Sequence, residues 1–538
     1  MIPVTAEERE RYVREGLWSP TETLADFLIK HATERGEADA VVDAYGSRLS
    51  YAELHAAAAA VAAALAERGV EAGTVVGAQL PNRVESSVLA CALELLGAVL
   101  APLTPMFRER EIGYVADVTG MGALVVPGTY RRHDHDEMAV RIAASSPSIH
   151  TLVTLTEDPP EPLVSLASMI AAGASFEPRE VDPEAITAIL MTSGTESNPK
   201  AVIHTNDTLF ANNRALLQMI EMDESSPIFM ASPVGHGTGY GFGTRLAVYL
   251  GSKLVLQDLW DAAQAAETIS REGCVYTHAS TTFAQDLLDL EGIEGYDLSS
   301  LRYFVSGGAA IPPGFAKRIH KAMDGCRLLR LYGQTEGFMT TLNRPGDPEE
   351  RLDDSDGRAV PGVEVAIWDE AGEEVERGTT GELVCRGPHR CRGFLNDPER
   401  TARTIDPDGW MRMGDLGVMD EAGFIRVVGR VKEVISRGGY KYSPREVEDI
   451  LSDHPRVSRI AVIRFADRRL GERACACVIP AGEGPLELED LTSFLRERGL
   501  APYKLPEKLE LMSELPTTPA GKIRKFELED QLAERLAE

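Results

Sequence analysis

The chain has 538 residues, 43% hydrophobic and 26% charged, with a net charge of −29 and a pI of about 4.9. That length exceeds a single core, so two or more domains are expected, and the composition is that of a soluble globular protein. The acidity excludes nucleic acid and anionic membrane as bulk partners, since both need a basic face, but leaves room for a small anion in a local basic pocket.

The first 18 residues, MIPVTAEERERYVREGLW, are charged and contain no apolar h-region, so no signal peptide is expected. No apolar run reaches ~18 residues, so no transmembrane helix is expected either. Cysteines stand at 91, 274, 326, 385, 391, 475 and 477, odd in number and without a C-x-x-C pair. Reduced thiols in a cytoplasmic protein fit that pattern. Cys475 and Cys477 alternate as strand positions and point to one face, where burial in a core is the reading. His133 and His135, in RRHDHDE, read as a solvated charged loop rather than a metal site.

In chain order, an apolar-periodic run follows Thr21–Thr23. AVVDAYGSRLSYAEL then gives a strand, a turn at Gly46, a second strand and a helix capped near Ser50 with Glu53 three residues on. That alanine-rich helix stops at Gly69. Residues 74–127 alternate strand, helix and strand, which implies a parallel sheet. Residues 160–183, rich in Pro, Ala and Ser, lead into ILMTSGTESNPKAVIHT at 189–205.

That stretch reads as strand, polar turn, strand. Its turn supplies hydroxyls, a glycine that permits close backbone approach, and Lys200 as a point charge, which are the parts that wrap a polyphosphate. Lysine is scarce here, only 11 of the 55 basic Lys and Arg residues, so its position carries information. A helix is expected over 206–221, and strands at SPIFMASPV, KLVLQ, CVYTHAS, LRYFVSGG and CRLLRLYGQTE. Strands running into Gly-rich loops suggest ligand loops at the carboxyl ends of a parallel sheet. From about 360 the texture becomes short strands and turns, a small β module, with a domain boundary near Gly429–Glu433 and a C-terminal α+β unit beyond it.

TSGTESNPK resembles the phosphate loop of the adenylate-forming superfamily, which includes acyl-CoA synthetases, aryl-acid ligases and adenylation domains of peptide synthetases. It departs from the usual form at Glu196, Ser197 and Ala201 but keeps Ser193, Gly194, Thr195, Pro199 and Lys200. VSGGAAIP, LYGQTE, MRMGDLG, GRVKE, RGGYKYSPREVE and PTTPAGKIRK follow in the family's order. The resemblance implies an α/β fold. A large N-terminal domain (1–430) would hold two doubly wound α/β subdomains and a small β-barrel, and a small mobile C-terminal α+β domain (431–538) would act as a lid.

It also implies roles. Thr192, Ser193, Gly194, Thr195 and Lys200 hold phosphates. Gly308, Ala309 and Ala310 border the adenine, with Gly308 also bordering the acid. Tyr332 stacks on the base beside Gly333, and Asp415 and Arg430 meet the ribose. Thr335 binds the α-phosphate, and Glu336 holds magnesium. Lys432 is the hinge and Lys522 the catalytic lysine. His236, Gly237, Tyr240, Gln334 and Lys441 belong to the substrate side, with His236 also counted among the catalytic residues. Glycines at 235, 237, 239, 241 and 243 leave room for a bulky apolar acid, alicyclic, polycyclic or medium-chain. Gly237, where dihydroxybenzoate ligases carry Asn, disfavours that substrate.

The implied reaction is carboxylic-acid activation by ATP to an acyl-adenylate, then transfer to coenzyme A with release of AMP. A phosphopantetheine carrier is the alternative acceptor, in an enzyme that performs only the first half-reaction itself. A nucleotide-binding regulator is a third reading, opposed by the intact Lys200, Glu336, Asp415 and Lys522. Homodimerisation is left open.

Overall fold

The computed structural model describes residues 1–192, 199–308, 311, 314–323, 325–438, 440–482, 484–517 and 523–536. Two large sheets form the body of residues 1–430. The first has seven strands in the order Lys200–Thr205, Ile186–Thr192, Val99–Pro102, Val75–Ala78, Ala123–Val126, Thr151–Thr154, Leu163–Ser165. All its pairings are parallel except the antiparallel edge pair 186–192 with 200–205. The second has nine strands, with a parallel centre running from Arg327–Tyr332 through Tyr303–Gly307, Tyr276–Ala279, Ile228–Met230 and Leu254–Leu256 to Asp39–Asp43.

The helices Tyr51–Ala66 and Val84–Leu96 pack on each other in one continuous core that both sheets share. The first is closed by a reciprocal cap. Ser50 Oγ accepts from the Glu53 amide at 3.3 Å, and Glu53 Oε2 accepts from the Ser50 amide at 2.8 Å. Each bond satisfies a donor that a helix start leaves orphaned. Its alanines carry little side chain, so the neighbouring helix comes close; Ala58, Ala60 and Ala62 are fully buried.

A four-stranded antiparallel sheet, Glu364–Trp368, Gly381–Arg386, Met411–Met419 and Ile425–Arg430, is the β module. From its last strand a single turn, Val431–Glu433, leads to a further five-stranded sheet that begins at Ile435 and has its own apolar clusters. Cys475 and Cys477 lie buried on one face of that sheet among Ala461, Ile463, Leu515 and Leu528. Among the described residues no helix is long and apolar enough to cross a membrane.

One local reading needs correction. RRHDHDE is a two-strand hairpin that runs into the helix His135–Ser145, not a solvated loop. Asp134 caps that helix by accepting from the Glu137 amide at 3.0 Å, which turns His135 inward with Met138, Ala139 and Ile142. The buried ring meets Gln79 Oε1 through Nδ1 at 3.1 Å, and burial depresses its pKa to about 4.

Candidate active site

The loops at the carboxyl ends of both sheets converge. Asn82, after the strand Val75–Ala78, fastens them together. Its Nδ2 donates to the carbonyls of Ser232 at 3.0 Å and Gln257 at 3.1 Å, while its Oδ1 accepts from the Val234 amide at 2.8 Å. One side chain thus fixes the start of the segment SPVGHGTGYGFG. Nothing in the sequence marked Asn82, because a lone Asn after a strand carries no motif.

Thr192 and Lys200 pair across the antiparallel edge, on either side of residues 193–199. Ser193, Gly194 and Thr195, like Ala309, Ala310 and Lys522, lie outside the described residues. Thr192 Oγ1 is buried without a partner among the described residues, so it retains a donor and an acceptor for a ligand. Lys200 Nζ stands 3.4 Å from Glu336 Oε1, with the glutamate withdrawn from solvent. A single carboxylate beside one lysine suits magnesium, which is usually held by one or two carboxylates plus substrate phosphates.

The strand Arg327–Tyr332 delivers YGQTE. Tyr332 donates to Asp415 Oδ2 at 2.8 Å, and Gln334 Nε2 donates to the same oxygen at 2.6 Å. Arg430 Nε reaches Asp415 Oδ1 at 3.1 Å, the two residues facing each other across the hairpin Met411–Arg430. Burial, then the charge of Asp415, push the Tyr332 phenol well above its usual range, so it stays a donor. Gln334, expected on the substrate side, is therefore part of the seat of Asp415.

Thr335 is held from behind. His204 Nε2 donates to its carbonyl at 2.8 Å, which leaves Nδ1 to face the Thr208 hydroxyl at 3.1 Å. Burial drops His204 to about 4, so the ring is neutral. Gly308 has φ +81, and among the described residues nothing stands within 4 Å of where a Cβ would project. A Cβ on Gly333 would overlap the Phe338 carbonyl, so only glycine lets this loop fold back.

Phe338 is a residue that sequence reasoning missed. Its backbone is left-handed, φ 50, an uncommon state for a bulky residue. A Cβ on Gly237 would stand 3.2 Å from its ring, and one on Gly241 2.5 Å. The ring also meets His204 edge-on at 5.1 Å and Phe242 at 6.0 Å. The glycines therefore serve close packing: 235 and 239 sit against backbone, 237 and 241 against Phe338, and 243 against Met230. His236 has an accessible surface although burial by its surroundings lowers its pKa, the mark of a ring lining a cleft. Behind it lies His278, held to about 3 by burial and by the neighbouring His236.

Two expected substrate residues stand elsewhere. Tyr240 is buried, and its hydroxyl accepts from Arg245 Nη1 at 3.2 Å. Arg245, fully enclosed, also bonds Glu94 Oε1 at 2.6 Å and Asn206. Lys441 is exposed and pairs with Glu370 Oε1 at 2.6 Å, across the junction between the β module and the C-terminal sheet. Lys432 lies in the connecting turn Val431–Glu433. A cavity of about 410 Å³ in the C-terminal unit is lined by charges that pair among themselves, Arg437 with Glu507 and Arg496 with Glu489.

Residues 28–395 match the family model described as AMP-binding enzyme, and residues 446–522 that of the AMP-binding enzyme C-terminal domain. The chain is 34% identical over 542 residues to the medium-chain fatty-acid–CoA ligase of Escherichia coli (strain K12), covering 100% of this chain and 95% of that protein. It is 31% identical over 536 residues to the 2,3-dihydroxybenzoate-AMP ligase of Bacillus subtilis (strain 168), covering 99% and 98%. Among solved structures it is similar to the anthranilate CoA ligase AuaEII in complex with anthranoyl-AMP, with a TM-score of 0.87, 25% identity, and 96% and 98% of the two chains covered.

Proposed function

We propose how the reaction runs from one premise: the chain belongs to the AMP-binding enzyme family and is an AMP-forming acid–thiol ligase, using ATP, a carboxylic acid and a thiol acceptor. A carboxylate oxygen of the acid attacks the α-phosphorus of ATP, and the bond to pyrophosphate breaks. The thiol of coenzyme A then attacks the acyl carbon, loses its proton, and expels AMP.

The observation that carries this reading is the buried cluster Tyr332–Asp415–Arg430–Gln334 beside Lys200 and Glu336. Asp415 keeps lone pairs for ribose hydroxyls after its three donors are counted. Lys200, with Thr192 and the turn between them, takes the phosphates, Thr335 meets the α-phosphate, and Glu336 holds magnesium. When bound, that ion neutralises phosphate charge and keeps the polyphosphate in line. His204 keeps the Thr335 backbone in place and, being neutral, adds no charge that would compete for phosphate. Lys522 completes the site when residues 431–538 turn about Lys432, and another turn of the same unit admits the thiol.

On the acid side, Phe338, Phe242 and the glycine backbone present an apolar wall with His236 at the cleft. That suits a mostly apolar acid, alicyclic, polycyclic or medium-chain, with Phe338 limiting its girth. The medium-chain name of the Escherichia coli relative supports this, and so does Gly237 in place of a hydrogen-bonding side chain. The test is pyrophosphate release over a carboxylic-acid library, repeated with coenzyme A while AMP and free thiol are followed. Pyrophosphate without thiol consumption for every acid would transfer the acceptor role to a carrier protein.

A further inference from the structure

Lys525 opens the helix Lys525–Leu536, the end at which the helix dipole disfavours a cation. Two carboxylates hold it there. Its Nζ lies 2.7 Å from Glu448 Oε1 and 3.2 Å from Glu433 Oε2, and all three side chains are largely withdrawn from solvent. Burial alone would lower the lysine's pKa, but the two carboxylates outweigh it and raise it, so the cation persists. Glu433 closes the connecting turn directly after Lys432. Glu448 sits on the helix Pro444–Leu451 and also accepts from the Val462 amide at 2.6 Å, which ties the node into the C-terminal sheet. Thr517 and Ile523 bridge, so the chain that departs at 517 returns two residues before Lys525.

A pivot can steer a distant loop only if everything between them moves as one body. We propose that Lys525 is a positioning residue that locks the first residue after the pivot to the helix that begins three residues after Lys522, so that a turn at Lys432 is delivered to Lys522. This rests on the reading above in which Lys432 is the hinge and Lys522 serves adenylation. Removing the Lys525 cation removes the contact that joins Glu433 to Glu448. The rotation would then dissipate in the connecting turn. In that reading the thiol step uses another orientation of residues 431–538 and does not need the coupling.

The test uses the full chain, the acid turned over fastest in the library screen, and its synthetic acyl-adenylate. Lys525→Met is expected to slow adenylation about tenfold or more, because small misplacements of a catalytic group are costly, while thioester formation from acyl-adenylate and coenzyme A stays within about twofold of the parent. Lys525→Arg should restore adenylation, since it keeps the cation. Equal losses in the two half-reactions, or adenylation left intact in Lys525→Met, overturn the proposal. If Lys525→Met does not fold, Glu433→Gln supplies the same comparison with the Glu448 pair retained; a smaller selective loss supports the proposal and parallel changes overturn it. Lys522→Ala is run alongside. Adenylation intact in that variant overturns the role of Lys522 itself, whereas adenylation lost there but intact in Lys525→Met overturns the coupling alone.

Discussion

Tyr332 gives its hydroxyl hydrogen to Asp415 at 2.8 Å, and so fastens the end of a parallel strand to a hairpin of the β module more than eighty residues away. If Asp415 meets the ribose as proposed, the nucleotide seat is a property of two substructures together, and Asp415 has a second role inside the protein.

Asp415→Ala should weaken ATP binding by about 2–3 kcal/mol, the order expected when charge-assisted bonds to a substrate are lost. It should also free Arg430 and Tyr332. Calorimetric titration with ATP checks the first effect, and unchanged affinity would remove Asp415 from the ribose site.

Gly237→Leu should abolish turnover of the best acid while ATP still binds. Its Cβ would already stand 3.2 Å from the Phe338 ring, and the rest of the leucine must enter the acid space or displace that ring. The complementary change, Phe338→Ala, should shift the preferred acid toward larger members of the library. A library profile indistinguishable from the parent in both variants would place the acid elsewhere.

Lys522→Ala should lose about 10²–10³ in adenylation rate, as when one preorganised donor is removed from a developing charge. Thioester formation from pre-made acyl-adenylate should continue at nearly the parent rate. Normal adenylation would hand the task to another cation, and Lys441 is the first to examine, although its partner in this structure is Glu370.

Arg245→Met should destabilise the fold by about 3–5 kcal/mol, because it leaves the buried Glu94 carboxylate without its cation. Denaturant unfolding measures this. A loss under about 1 kcal/mol, the size of an exposed pair, would mean that water reaches Glu94.

Stability should fall on acidification below neutral pH. Burial holds His135 and His204 to about 4 and His278 and His389 to about 3, against an ordinary 6.5. Between about 6.5 and 4 the unfolded chain takes up protons that the fold refuses, and each unmatched proton costs about 1.4 kcal/mol per pH unit. Asp207, pushed up to about 7 by burial, opposes this, since the fold holds its proton where the unfolded chain does not. Burial raises Asp449 and Glu529 as well, but it also lowers His31, His55, His236 and His454, so three carboxyls stand against eight rings and leave a net loss. A Tm that stayed level from pH 7 to pH 5 would contradict it.

Period-two and helical patterns, with Gly and Ser punctuation, made the alternating elements of residues 39–126 readable from the sequence. Their strength is local: Ser50 and Glu53 lie three residues apart and cap a helix wherever it packs. LYGQTE and Asp415 stood out for another reason, their residue types, and the structure brings Tyr332, Gln334 and Asp415 together. What stayed hidden shares a cause. The partners of His135, Gln334 and Phe338 lie 56, 81 and 101 residues away: Gln79, Asp415 and Gly237. No short-range pattern encodes which of two polar groups a side chain will meet, and the glycines of 235–243 read as vacancy although Phe338, Met230 and nearby backbone stand against them.

The close seating of Gly333 under the Phe338 carbonyl couples choices that a protein engineer would prefer to make separately. Residue 333 lies between the adenine-side tyrosine and the acid-side phenylalanine, and the Gln334 carbonyl accepts from the Phe338 amide at 2.5 Å. Any backbone shift that widens the room for a new acid is passed within one turn of chain to Tyr332. Redesign of acid preference at Phe338 should therefore be screened at saturating and at limiting ATP, because libraries selected on rate alone will discard variants that merely bind the nucleotide less well.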